Sequence, residues 1–230
     1  MSRFILISVV LLVAGCSSFL HSEDPPVQIY VLRAAVSPTR AATEQAMALD
    51  AARAASASTA ALPSVSSPPT LQVPRPQADP GLNTELITLV QSDHRMDRYT
   101  GSSWAGNLQD VVETLAIDTL RASGNWSAVH DAPSPFSADY LLQINIRRFE
   151  ADYTGGGETP KIYVTLDCTI ARRIGRELLT SFVAEGVADA EANRMSAVVA
   201  AFEKASNIAL ASMAERSAEA IRTSKAPSTP

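Results

Sequence analysis

The chain has 230 residues, with 19 Lys and Arg against 24 Asp and Glu, which gives a formal net charge of −5. No block of basic residues stands out, and this argues against a nucleic-acid partner. Cys16 and Cys168 are the only cysteines, so a framework of several disulfides is excluded.

The N-terminal segment predicts a lipoprotein signal peptide over residues 1–15. Arg3 is its one basic residue, and the apolar run 4–13 is too short for a bilayer span of about 20 residues. The sequence Leu-Val-Ala-Gly-Cys at 12–16 is a bacterial lipobox, which predicts acylation of Cys16. The alternative is an ordinary signal peptide that contains a cysteine.

The residues after Cys16 indicate the membrane to which the protein is sorted. Ser17 and Ser18 follow, and no aspartate does. This sorting pattern favours the periplasmic face of the outer membrane, with the inner membrane as the alternative. Residues 16–26 would form a tether. Once Cys16 is acylated, Cys168 has no disulfide partner, and we expect it to be a buried thiol.

A predicted strand at 28–32 is followed by a change of composition. Between 34 and 69, 26 of the 36 residues are Ala, Ser, Pro or Thr, and none is aromatic. Such a segment buries too little apolar surface to offset its ordering entropy. We interpret 34–69 as a mobile insertion, with a transient helix at 39–57. The alternative is a partner-binding helix.

From residue 70 the pattern is that of a folded domain. Short strands are expected at 70–73, 85–91 and 126–130, a polar loop at 95–103, and a helix at 104–122 that ends at Gly124. A second helix is expected at 190–222, with Phe202 at the centre of its apolar stripe.

Three longer strands are predicted at 140–150, 161–172 and 177–187. The first two alternate strictly between apolar and polar residues, which is typical of strands with one buried face and one wet face. Gly155, Gly156 and Gly157 would form the loop between the first two, and Gly175 the turn before the third. The elements predict a two-layer α/β sandwich, with a mostly antiparallel or mixed sheet and two long helices on one face. This single domain would span 27–222, and 223–230 would be a disordered tail.

Four short segments resemble one protein family. They are Ile-Tyr-Val-Leu at 29–32, Val-Pro-Arg-Pro at 73–76 with Pro-Gly-Leu-Asn-Thr at 80–84, Arg-Tyr at 98–99 with Ser-Trp-Ala at 103–105, and Tyr-Leu-Leu at 140–142 with Arg-Phe-Glu at 148–150. Together with the lipobox, their order resembles the ABC-type transport auxiliary lipoprotein family.

The resemblance implies an accessory lipoprotein with no catalytic residues and no cofactor. Its partners would be an MCE-domain protein and the permease and ATPase of an ABC-type lipid transport system. A homo-oligomer is compatible with this arrangement. Two other functions stay open: a structural lipoprotein between outer membrane and cell wall, and a periplasmic lipid-binding carrier.

The residues themselves offer little chemistry. His21, His94 and His130 are far apart and lack metal-ligand spacing, so no metal site is expected. The charged segment around 93–98 is either a solvated loop or a partner contact. The residues chosen as candidate partner-binding positions are Arg75, Asp97, Arg98, Tyr99 and Trp104. Trp104 is expected either to pack in the core or, if exposed, to act as a binding hot spot.

Overall fold

A computed structural model describes residues 26–35 and 68–225. The signal peptide, Cys16, most of the tether, the greater part of the predicted insertion and the last five residues lie outside this range. The elements in chain order are β1 (Gln28–Tyr30), β2 (Thr70–Gln72), β3 (Gln77–Ala78), β4 (Leu86–Val90), β5 (Met96–Trp104), α1 (Leu108–Ala122), β6 (Ala128–His130), β7 (Tyr140–Asp152), β8 (Lys161–Arg172), β9 (Glu177–Asp189) and α2 (Met195–Lys225).

Strand β7 organises the mixed sheet. One edge of β7 pairs with β8 along its whole length, and β8 pairs in turn with β9, both antiparallel. The other edge pairs with three short parallel strands in succession, β2, β3 and β4. Beyond these, β6 pairs with β2, β5 with β4, and β1 with β5. Within the described residues, β1 and β9 are therefore outer strands.

The helices pack against each other and against one face of the sheet, as the sequence predicts. In β9 the buried residues alternate with exposed ones, because every second side chain faces α2. Phe202 of α2 is fully buried, and Cys168 of β8 is 1 % exposed. Burial raises the pKa of the Cys168 thiol to about 12, and the prediction of a buried thiol is confirmed.

Three sequence expectations are wrong. Residues 95–103 do not form a loop, because β5 occupies 96–104 and its backbone pairs with β4 and β1. Backbone pairing does not depend on side-chain polarity, and the exposed start of β5 has no apolar alternation that would mark it. The first helix begins at Leu108, four residues after the predicted start, since Trp104 is the last residue of β5. Near the C-terminus of the chain, helix α2 continues to Lys225, whereas the sequence predicted a disordered tail from residue 223.

Candidate partner-binding surfaces

Asp97 and Arg98 lie in the exposed half of β5, next to the β4–β5 hairpin. Both are exposed, and they pair in register with Leu89 and Thr88 of β4. One carboxylate oxygen of Asp97 accepts a hydrogen bond from the backbone N–H of Arg98 at 2.8 Å. Adjacent side chains of a strand point to opposite faces of the sheet, so Asp97 and Arg98 present their charges on different faces.

Tyr99, the third candidate on β5, is half-buried in a chain of hydrogen bonds. The hydroxyl groups of Tyr99 and Tyr153 are 2.9 Å apart, and that of Tyr153 donates to Asn193 Oδ1 at 2.8 Å. A hydroxyl has one proton, so Tyr99 is the donor to Tyr153. Burial, together with this bond, raises the pKa of Tyr99 well above its ordinary value. Tyr99 therefore ties β5 to the segments around β7 and α2.

Trp104 is a core residue. It is 2 % exposed, and its ring meets those of Phe149 and Phe202 edge to face, with centroid distances of 5.9 and 5.2 Å. The two phenylalanine rings stack on each other at 5.2 Å. This aromatic cluster joins β5, β7 and α2, and edge-to-face and offset-stacked pairs add stability beyond the area they bury. Trp104 offers no exposed surface to a partner in this structure.

Arg75 is held by α1. Its Nε lies 2.6 Å from Asp110 Oδ1, and this hydrogen bond raises the pKa of the guanidinium. Asp110 lies in the first turn of α1, where a carboxylate also interacts favourably with the helix dipole. Both side chains are about half exposed, so the pair is one of modest strength.

The five candidates do not form one patch. Arg98 and Trp104 are six residues apart on a single strand, which corresponds to about 20 Å. Of the five, Arg75, Asp97 and Arg98 combine exposure with charge and remain candidates for a partner contact, with Arg75 already paired to Asp110.

The sheet face opposite the helices carries a charged groove that the sequence reasoning did not identify. Arg147 lies between two carboxylates, with Nε 2.9 Å from Asp79 Oδ2 and Nη1 3.0 Å from Asp167 Oδ2. The exposed aliphatic residues Val183 and Val187 line the same groove, of about 450 Å³. Arg147 and Asp167 both occupy polar positions of strands that alternate between apolar and polar residues. This alternation was the one sequence feature that could have indicated the groove.

Arg148, which lines the same groove, binds two shielded carboxylates. Its Nε lies 2.7 Å from Glu150 Oε1 and its Nη2 3.0 Å from Asp152 Oδ2. The guanidinium also stacks over the ring of Tyr163, 4.1 Å from the centroid. Glu150 is only 7 % exposed. The Arg-Phe-Glu segment at 148–150 therefore supplies an ion cluster from two of its side chains and a core ring from the third.

No metal centre is evident in the part of the chain that the structure describes. Residues 26–35 and 68–225 contain no group of three or more His, Cys, Asp or Glu side chains that could hold a metal ion. His94 lies in the β4–β5 turn with a positive φ of 64°, and His130 stacks on Phe136. No described helix is both long and apolar enough to cross a membrane.

The fold is a mixed α/β domain, with an open sheet of nine strands and two helices within the described residues. The model of the ABC-type transport auxiliary lipoprotein component family matches residues 48–214, and the chain belongs to this family. Its members are membrane-anchored envelope proteins associated with an ABC-type transporter. The resemblance drawn from the four sequence segments is confirmed.

Solved structures agree on the fold. The chain is similar to protein XCC0632 from Xanthomonas campestris, with 22 % identity and a TM-score of 0.69, over 86 % of this chain and 98 % of the other. A second crystal structure, of an uncharacterised protein, shares 14 % identity with a TM-score of 0.54, over 65 % of this chain and 92 % of that one. No curated protein matches the chain.

Proposed function

We propose that this protein is a non-enzymatic accessory of an ABC/MCE-type lipid transport system, held at the periplasmic face of the outer membrane by acylated Cys16. The family match over 48–214 is the observation that carries the proposal. The lipobox at 12–16 supports the anchor, and Ser17 and Ser18 support the outer membrane.

The open sheet face supports docking to a protein partner. Its groove combines the charged residues Asp79, Arg147, Asp167 and Glu185 with the exposed side chains of Val183 and Val187. Interfaces combine an apolar centre with a polar rim. In this arrangement the MCE-domain protein contacts the open face, and the helices support the sheet from behind.

The anchor is tested by Cys16→Ala in the full chain. The variant should lose acylation, and its signal should remain uncleaved or the protein be degraded. A processed, acylated product from this variant would contradict the lipobox assignment.

The partner is tested by co-purification of the acylated protein with the MCE-domain protein, permease and ATPase. Arg98→Ala should reduce recovery of the MCE-domain protein while leaving stability within about 0.5 kcal/mol of the wild type. Arg95→Ala is the matched control, since Arg95 is also exposed and makes only a 3.8 Å ion pair with Asp93. Equal recovery with both variants would remove Arg98 from the interface.

One cavity favours a lipid-binding carrier as the second candidate. A groove of about 490 Å³ lies between residues 30–34 and α1 and is lined by Tyr30, Leu32, Val111 and Leu115. Native mass spectrometry of the protein purified from membranes tests this function. A bound phospholipid that is lost in Val111→Trp would favour the carrier, whereas a lipid-free protein that co-purifies with the MCE-domain protein favours the accessory.

A further inference from the structure

An exposed aliphatic stripe marks the first described residues of the chain. Val27, Ile29 and Val31 have 59, 67 and 60 % of their surfaces exposed. Tyr30 and Leu32, between and after them, are more buried, and they line the groove beside α1 together with Val31. The alternation has the period of two of an extended chain, which places Ile29 on the sheet face opposite Tyr30. Val31 lies at the rim of the groove beside α1.

The stripe continues onto the neighbouring strands. Ile29 is in register with Ser103 of β5, and Ser103 is in register with Leu86 of β4. Residues in register on neighbouring strands share a face, so Ile29 and Leu86 flank the buried Ser103 on the open face. Leu86 is itself 37 % exposed. The result is an aliphatic patch formed by β1, the residues that flank it and the start of β4. We call it the β1 patch: Val27, Ile29, Leu86 and, at its rim, Val31.

The position of the β1 patch in the chain limits what can cover it. Val27 follows Cys16 by 11 residues, a length that spans at most about 38 Å when fully extended. Residues 25–32 include no charged residue, so contact with an apolar phase would desolvate no charge on this strand.

We propose that the β1 patch lies on the phospholipid surface of the membrane that holds the acyl chains of Cys16. This rests on the proposed function, because it requires the anchor. A short tether keeps the bilayer at high effective concentration beside the patch, so even a weak apolar contact is occupied. Of the surfaces available to the protein, the bilayer is the one that the covalent chain brings to Val27.

The backbone sets the depth of this contact. Within the described residues, β1 pairs on one edge only, with β5, and its other edge has no strand partner. Unpaired backbone N–H and C=O groups are not tolerated in the hydrocarbon core, but they are hydrated among the headgroups. The aliphatic side chains therefore reach the boundary of the acyl region while the strand stays in the headgroup layer.

The experiment uses the full-length acylated protein in vesicles of phosphatidylethanolamine and phosphatidylglycerol. Ile29→Cys carries a fluorophore, and a quencher is attached to the acyl chains of the outer leaflet. Ile174→Cys is the matched control, since Ile174 is 83 % exposed in the β8–β9 turn, at the far end of the strand order from β1. Cys168 does not compete for the label, because it is buried with a raised pKa.

Quenching at position 29 should exceed that at position 174 several-fold. Equal quenching at both positions, in protein that floats with the vesicles, would overturn the contact and leave the anchor and the proposed function standing. Loss of flotation would overturn the anchor, and the contact with it. A third outcome is equal quenching at the two positions, together with protection of the cysteine at position 29 from labelling when the MCE-domain protein is bound. This outcome would assign the patch to a protein partner and overturn the membrane contact.

Discussion

A Cβ atom on Gly186 would lie 1.9 Å from the carbonyl oxygen of Ala205 and 2.8 Å from the backbone N of Ala209. Strand β9 and helix α2 therefore meet backbone to backbone at this point, with no room for a side chain. The helix presents small residues there, since Ala205 and Ala209 are both fully buried. This close approach seats α2 on the outer strand β9 and brings Phe202 down to the aromatic cluster.

Gly186→Ala should strongly destabilise the domain. The neighbouring atoms are backbone of a helix and cannot move aside alone, so we expect a loss at or above the upper end of the overpacking range, about 3 kcal/mol. Chemical denaturation of both proteins measures this. Gly155→Ala is the control, because a Cβ at residue 155 meets nothing within 4 Å. A Gly186→Ala domain as stable as the control would show that β9 and α2 are further apart than described.

Phe202→Ala should reduce the free energy of unfolding by about 3–5 kcal/mol, because it removes a fully buried ring and leaves a cavity beside Trp104 and Phe149. Thermal and chemical unfolding measure the loss. Phe136→Ala is the matched control, since Phe136 is 65 % exposed, and it should change stability by less than about 1 kcal/mol. A stable Phe202→Ala domain that no longer binds its partner would make the α2 stripe an interface instead of core.

Arg148→Met should weaken the fold in a pH-dependent way. Burial alone would raise the pKa of Asp152, but hydrogen bonds from Thr154 and the charge of Arg148 outweigh burial and hold this pKa below its usual 3.8. Stabilisation by a carboxylate with a lowered pKa is complete at neutral pH and is lost as the pH falls through its folded-state value. The variant should therefore be less stable by about 1–3 kcal/mol near neutral pH, partly because Glu150 loses its partner.

The difference between wild type and Arg148→Met should narrow as the pH falls below about 4, because Asp152, whose pKa Arg148 helps to lower, then becomes protonated. Unfolding by urea across the acid range measures it. Arg172→Met is the control, since the ion pair of Arg172 with Glu177 is more exposed and should contribute less than about 1 kcal/mol. A constant difference down to low pH would mean that packing on Tyr163, and not charge, is what Arg148 provides.

Replacing residues 36–67 with a Gly/Ser linker should leave the domain folded, provided the linker is long enough. Ala35 is held by Asn207, since its backbone N–H donates to Oδ1 at 2.8 Å, whereas Pro68 lines a cavity with Ile221. Asn207 and Ile221 are 14 residues apart on α2, which corresponds to about 21 Å along the helix. A linker of about 14 residues has a mean reach of that size.

Cooperative thermal unfolding with an unchanged midpoint is the expected result for the long linker. A linker of about four residues, which spans at most about 18 Å across its five peptide steps, is the control and should destabilise the domain. Loss of cooperative unfolding with the long linker would show that residues between 36 and 67 belong to the core.

Several elements were determined by the sequence alone. The alternation in β7 and β8 predicted their faces, and the bounds of β8 agree with the prediction. The apolar stripe around Phe202 predicted the buried face of α2, and four short segments indicated the family. These features are local, because a period of two or of 3.6 residues is visible within one element.

Only the tertiary structure decided the rest, because the deciding contacts join residues far apart in the chain. Strand β5 is held by its backbone pairing with β1 and β4. Its side chains are polar, so the hydrophobic pattern wrongly predicted a loop there. Trp104 is buried by Phe149 and Phe202, 45 and 98 residues further on, and not by its own neighbours. The exposure of Val27, Ile29 and Val31 likewise depends on β1 being an outer strand, which no local periodicity reveals.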